Sequence, residues 1–239
     1  MNCKHISAAI ILAAIILQGC GIPSVHPLYE PGDLITHDQL NGTWVKSGEN
    51  SVTYEVMNIR ELHQVLLDGP EAMNLRTRIN TQLLDVKTAS EVADYLAELI
   101  DTGRGNLYVI QKRENPEDIY FAGLVQLGEN HYLDLYKLDF DMPVFSYPVH
   151  IFMKVSIAEE ELRVHMFSQE WLTDLIKNRQ VRIRHEINDM DSILLTAAPG
   201  DLQKFIIKYG DVEQAYANDE TYIRINDKPE FSFEDDSDG

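Results

Sequence analysis

The chain has 239 residues, and its 20 Lys and Arg stand against 39 Asp and Glu, a formal charge of -19. That balance argues against nucleic acid, whose phosphates demand a basic surface, and against electrostatic adhesion to anionic lipid; its plain consequence is solubility. The only cysteines are Cys3 and Cys20, so no disulfide framework or Cys-ligated metal is expected in the body, and a packed core must supply the stability.

The N-terminus has one Lys, Lys4, then an apolar run from Ile6 to Leu17, then Gln18, Gly19 and Cys20. This is the layout of a secretory signal. It is too short to span a bilayer, which takes roughly 20 apolar residues, and Pro23, His26, Pro27 and Glu30 prevent its extension. Leu17-Gln18-Gly19-Cys20 resembles the bacterial lipobox, with Gln18 departing from the usual small or aliphatic residue. The resemblance implies cleavage after residue 19, lipid attachment at Cys20 as a diacylglycerol thioether with an N-acyl group such as palmitate, and effectively permanent anchoring. Gly21 stands where an aspartate marks inner-membrane retention in many Gram-negative lipoproteins, so the implied destination is the outer membrane if the host is Gram-negative. The alternative is a plain secretory signal with Cys20 left free. Removing residues 1–19 takes away Lys4 and Cys3 and leaves 19 basic side chains against 39 acidic ones.

Residues 20–38 are rich in Pro, His and Gly without sustained periodicity, which suits a lipidated tether; His26-Pro27-Leu28-Tyr29 interrupts it and is expected to dock on the body. The globular domain is expected from 39 to 225. Gly42-Thr43-Trp44-Val45 and Val52-Thr53-Tyr54-Glu55-Val56 flank a short polar loop and read as a hairpin. The Gly-x-Trp opening resembles the first strand of lipocalins, although a buried Trp in a first strand is also ordinary core. From about 60 to 105 the period changes to helical. Thr88-Ala89-Ser90-Glu91 has a capping-box pattern, Val92, Tyr95, Leu96, Leu99 and Ile100 share one face, and Gly103 is a stop. Glu61–Leu67 and Met73–Val86 are weaker helical candidates, so the region reads as a helical insertion between strands.

Alternation returns at Leu107–Ile110, Tyr120–Leu127 and Tyr132–Leu138, the last two joined by Gly128-Glu129-Asn130-His131. Val149–Ile157 and Leu162–Ser168 form a further hairpin whose register pairs Val155 with Val164, Met153 with Met166 and Ile157 with Leu162, and sets Lys154 opposite His165 and Phe152 opposite Phe167. Gln169–Asn178 reads as a helix, Val181–Ile187 and Ser192–Ala197 as strands, and Pro199-Gly200-Asp201 opens a helix ending near Gly210. Glu213–Ala217 is a short helical candidate. Residues 226–239 lose periodicity and end in Glu234-Asp235-Asp236-Ser237-Asp238-Gly239, an acidic disordered tail by composition.

Leu28-Tyr29, Leu40-x-Gly42-x-Trp44, Pro148-Val149-His150, Trp171-Leu172, Leu195-Thr196-Ala197 and Leu202-Gln203-x-Phe205 together resemble a large, uncharacterised group of bacterial lipoproteins. The resemblance spans most of the mature chain, with Glu61–Gly105 longer than that pattern. It supplies no active site to carry over.

Motifs for chemistry are sparse. There is no Gly-x-Ser-x-Gly nucleophile turn, no free thiol beyond the anchor, and no phosphate-cradling loop at Gly103-Arg104-Gly105. His131, His150, His165 and His185 lie singly on strands or turns, without the paired spacing of a zinc site. Asp139 with Asp141 and Asp189 with Asp191 lack the rest of a calcium loop. No metal or cofactor is expected. Tyr132, Asp134 and Tyr136 share one strand face, an aromatic-acid-aromatic stripe suited to a sugar or cationic ligand; ordinary core tyrosines are the competing reading.

The expected fold is a single α+β domain with a curved antiparallel sheet, open or barrel-like, helices packed on it and a helical insertion. The expected function is a membrane-anchored envelope module for binding or assembly, its partners the membrane through the N-terminal lipid and an envelope protein or small ligand. The alternative is an envelope hydrolase with a non-contiguous active site.

Overall fold

A computed structural model describes residues 21–49, 52–68, 89–138, 149–188 and 192–229. The signal and Cys20, the helical candidate at 73–86, the acid pairs at 139/141 and 189/191, and the tail from 230 lie outside the described residues. The strands are β1 (Pro23–Ser24), β2 (Gly42–Lys46), β3 (Thr53–Asn58), β4 (Tyr108–Lys112), β5 (Asn115–Leu127), β6 (Asn130–Leu138), β7 (His150–Ile157), β8 (Glu161–Phe167), β9 (His185–Ile187), β10 (Ile193–Leu195) and β11 (Tyr216–Asn226). The helices among the described residues are α1 (Ile59–Asp68), α2 (Ala89–Leu99), α3 (Gln169–Lys177) and α4 (Pro199–Tyr209).

Strands β2 to β8 form an antiparallel meander, and β11 inserts between β8 and β2 to close it into an eight-stranded barrel. The sequence left open whether the sheet closes; it does. The β7–β8 register has Met153, Val155 and Ile157 opposite Met166, Val164 and Leu162, and Lys154 opposite His165, as the alternation predicts. Phe152 and Phe167 do not pair, because the two strands diverge beyond Met153. There Phe167 pairs with Tyr216 of β11, and β1 takes over the vacated edge of β7. The predicted strand 181–187 is regular only at His185–Ile187.

Cross-strand partners share a face, which sorts the core into two layers. Trp44, Val56, Tyr108, Ala122, Leu124, Leu133, Met153, Val155, Leu162 and Val164 fill the barrel interior above Leu40. On the outside, Leu172 of α3 and Leu202, Phe205 and Ile206 of α4 join a cluster with Tyr132, Phe152 and Phe167, while Leu62 of α1 and Leu96 and Leu99 of α2 extend it alongside Met57, Leu107 and Val109. The α3 start is capped by the Ser168 hydroxyl, which accepts the Trp171 N–H at 3.2 Å. Helix α2 runs into one wide turn, Ile100–Arg104, where Gly103 takes φ 80° and stops it.

The expected tether is a correction. From Gly21 on, the chain is a strap bound to the barrel: Ile22, Leu28 and Leu34 are buried, β1 pairs with β7 and β10, and Leu34 bridges Val125. The Leu28-Tyr29 docking foreseen in the sequence is one part of this longer attachment. Strap and barrel pack closely at Gly123, where a Cβ would lie 2.5 Å from Tyr29 Cε1. A second correction concerns β11, which no sequence signal singled out and which completes the barrel. The tail boundary at 226 falls on its last residue.

Candidate functional site

The predicted stripe Tyr132, Asp134 and Tyr136 does lie on one face of β6, but that face points out of the barrel and is covered. Tyr132 is buried and stacks on Phe167, with ring centroids 6.3 Å apart. The Asp134 carboxylate is fully buried beneath the strap. It accepts the Leu28 N–H at 2.5 Å and lies 2.7 Å from His150 Nδ1 on β7. Tyr136, half-buried, tilts its ring against His150 at 5.0 Å. The stripe is therefore a packed seam and not an open groove.

Burial raises the Asp134 carboxyl above its ordinary range, with His150 and the Leu28 N–H pulling the other way less strongly. Burial also raises the Tyr29 hydroxyl, and the nearby Asp134 adds to this. An aspartate on Nδ1 is the arrangement that orients a histidine as a general base, and sequence reasoning missed this pairing. The only sequence cue was an acid in the middle of an otherwise apolar strand, which needs a partner when buried. Among the described residues the pair has no group to activate. Ser24, opposite His150 on β1, is fully buried and donates its hydroxyl to His26 O at 2.8 Å. Among the described residues no hydroxyl or thiol is hydrogen-bonded to His150.

The second arrangement is the barrel mouth. One end of the barrel is closed by the 3-10 turn Asp38–Leu40 under Trp44. Toward the other end, the inward-facing Tyr54, Ile110, Tyr120, Leu135, Ile151, Met166 and Tyr222 are only partly buried. Tyr54 and Tyr222 meet edge to face at 5.6 Å. Lys46 donates to Glu220 at 2.9 Å, and Tyr222 donates to the same carboxylate at 2.5 Å. Across the rim, Lys137 binds Asp118 at 2.7 Å and stands 6.0 Å from the Tyr120 ring centre. Burial pushes Tyr54 up to about 12, with Tyr120 contributing, and pushes Tyr120 up to about 12, with Asp118 contributing. Both are therefore neutral hydrogen-bonding groups at physiological pH. Eight-stranded barrels are wide enough to be filled by side chains or to hold one small ligand; here the lower layer is filled, and the upper layer consists of partly buried apolar and aromatic side chains bordered by the charged groups Lys46, Glu220, Lys137 and Asp118.

Among the described residues no group of three or more His, Cys, Asp or Glu is placed to hold a metal, and no helix is long and apolar enough to cross a membrane. Comparison with known proteins gives no match to a family model, to a curated protein or to a solved structure.

Proposed function

We propose that the protein is a lipid-anchored envelope lipoprotein that works as a binding module, taking a small apolar or aromatic ligand at the barrel mouth. The observation that carries this reading is the partly exposed inward layer, in which Tyr54, Tyr120 and Tyr222 sit among Ile110, Leu135, Ile151 and Met166. Small-ligand sites combine apolar walls with a few polar groups that fix orientation, and this layer has that composition. The Leu17-Gln18-Gly19-Cys20 sequence supports the anchor, and Gly21 supports the outer membrane as its address in a Gram-negative host. The rival reading, an envelope hydrolase, draws on the Asp134–His150 pair. It is the weaker one, because the carboxylate also holds the strap and, among the described residues, no nucleophile is hydrogen-bonded to the histidine.

The test is a titration of the soluble body, lacking residues 1–20, with an apolar aromatic fluorophore, using wild type and Leu135→Glu. Saturable binding that weakens at least about tenfold in the variant, which places a charge in that layer, supports the reading. Equal binding by both, or no saturable binding, would remove it.

A further inference from the structure

The body takes hold of the chain directly after Cys20. Ile22 is buried, and Pro23 pairs with Ile151 of β7. Gly21 is itself packed against two inward side chains of the mouth layer: a Cβ on it would lie 2.7 Å from Ile151 Cγ2 and 3.3 Å from Met166 Cε. No residue stands between Gly21 and Cys20, and consecutive Cα atoms are about 3.8 Å apart. A lipid on that cysteine therefore leaves the protein beside the wall of the barrel mouth, with no free length of chain to carry it elsewhere.

The groups around that point suit a lipid surface. Ile110, Leu135, Ile151 and Met166 are only partly buried at this end of the barrel, as are Tyr54, Tyr120 and Tyr222. Tyrosine joins an apolar ring to a hydroxyl and is enriched where membrane meets water. The charges at this end largely pair with one another: Lys46 with Glu49 and Glu220, Lys137 with Asp118, and Arg113 with Glu55. Lys112 and Glu114, at the turn between β4 and β5, add one charge of each sign. Among the described side chains the mouth is thus close to neutral, although the chain as a whole is strongly acidic, and the long lysine stems can lie along apolar surface with their ammonium groups in water. Attraction to anionic lipid is not what sets the orientation; the place of attachment is.

We propose that the anchor on Cys20 holds the barrel mouth against the bilayer, so that the mouth layer and its rim are a docking face for the lipid surface and the closed end of the barrel points into solvent. The anchor supplies the affinity, and with the mouth kept at high effective concentration beside lipid a modest apolar contact is sufficient to fix the orientation. This orientation rests on the lipid anchor proposed above and not on the mouth taking a small ligand.

The experiment uses the full chain, extracted in detergent from bacterial membranes and reconstituted into phosphatidylcholine vesicles, with a thiol-reactive fluorophore on Glu49→Cys or on Glu160→Cys. Both positions are exposed; Glu49 follows Lys46 at the rim, whereas Glu160 is in the turn after β7, which runs from Ile151 at the mouth past Val155 in the filled layer to the closed end. Signal cleavage removes Cys3 and acylation blocks Cys20, so the chain without an added cysteine should take no label. A labelled Cys20 ends the anchor reading, and this orientation with it. With Cys20 blocked, nitroxide-bearing phosphatidylcholine should quench the fluorophore at position 49 and leave that at position 160 unchanged. Ten Gly and Ser residues inserted between Cys20 and Gly21, which add about 17 Å of root-mean-square reach, should abolish the quenching at position 49. Equal quenching at both positions, quenching at position 160 alone, or quenching at neither overturns the orientation and leaves the anchor standing. Quenching at position 49 that survives the insertion overturns it too, because the place of attachment would then not be its cause.

Discussion

The Arg224 guanidinium lies over the indole of Trp44, 5.1 Å from its ring centre, and donates to Gln39 O at 2.8 Å. Trp44 in turn donates Nε1–H to Leu40 O at 3.0 Å. These contacts tie the last strand of the barrel to the first and both to the turn that closes its lower end. Gly42 belongs to the same join: its φ is 137°, and a Cβ there would stand 2.6 Å from Asn226 O. Trp44→Ala should cost about 3 to 5 kcal/mol, as other large core truncations do, and Arg224→Met about 1 to 2 kcal/mol through the lost cation–π contact and hydrogen bond. Chemical denaturation measures both; a Trp44→Ala cost under about 1 kcal/mol contradicts its place in the core.

The close contact of Gly123 with Tyr29 gives a direct probe of the strap. Gly123→Ala should destabilise by about 1 to 3 kcal/mol through overpacking and should make residues 21–34 more accessible to proteolysis. Adding Tyr29→Ala should relieve part of that cost, an interaction visible in a double-mutant cycle. Strict additivity would mean that the two residues do not meet.

Asp134 makes a pH prediction. Its folded-state pKa is raised by burial, so the native chain holds that proton more tightly than the unfolded chain. The corresponding stability is fully present below the unfolded value, about 4, and is lost as pH rises through the folded value. Asp134→Asn is neutral throughout. The stability of wild type relative to this variant should therefore fall as pH climbs from about 4. A difference that grows with pH would show that His150 and the Leu28 N–H more than offset burial.

The mouth tyrosines titrate at the opposite extreme. Tyr54 and Tyr120 are each pushed up to about 12, so the native state favours their neutral form. That contribution is present below the unfolded tyrosine value of about 10 and lost as pH rises through the folded value. Ultraviolet titration should show the two ionising late, and Tyr54→Phe should remove one late ionisation and flatten the alkaline loss of stability. Normal ionisation near 10 would place both rings in open solvent.

Much of the barrel was legible because its strands alternate cleanly. Met153, Val155 and Ile157 against Leu162, Val164 and Met166 fix a register, since a slip of one residue would turn that face to solvent. Beyond Leu28-Tyr29 the strap was not legible, because Ile22, Leu28 and Leu34 are separated by Pro, His and Gly and share no helical or strand period. Strand β11 was missed for a related reason: Asn218, Asp219 and Glu220 have poor strand propensity, and Glu220 is used at the mouth to hold Lys46 and Tyr222. The Asp134–His150 pair could not be read from spacing, because it depends on β6 and β7 lying side by side. The tyrosine layer was equally hidden, since Tyr54, Tyr120 and Tyr222 come together only when the barrel closes.

The central claim, a lipid-anchored module that binds a small ligand at the barrel mouth, is tested most directly by native mass spectrometry of the full chain extracted in detergent from bacterial membranes. The account predicts a mature chain beginning at Cys20, carrying acyl mass on that residue, with a non-covalent small molecule that is absent from Leu135→Glu. A mature N-terminus elsewhere, an unmodified Cys20, or the same bound mass in wild type and variant would contradict it.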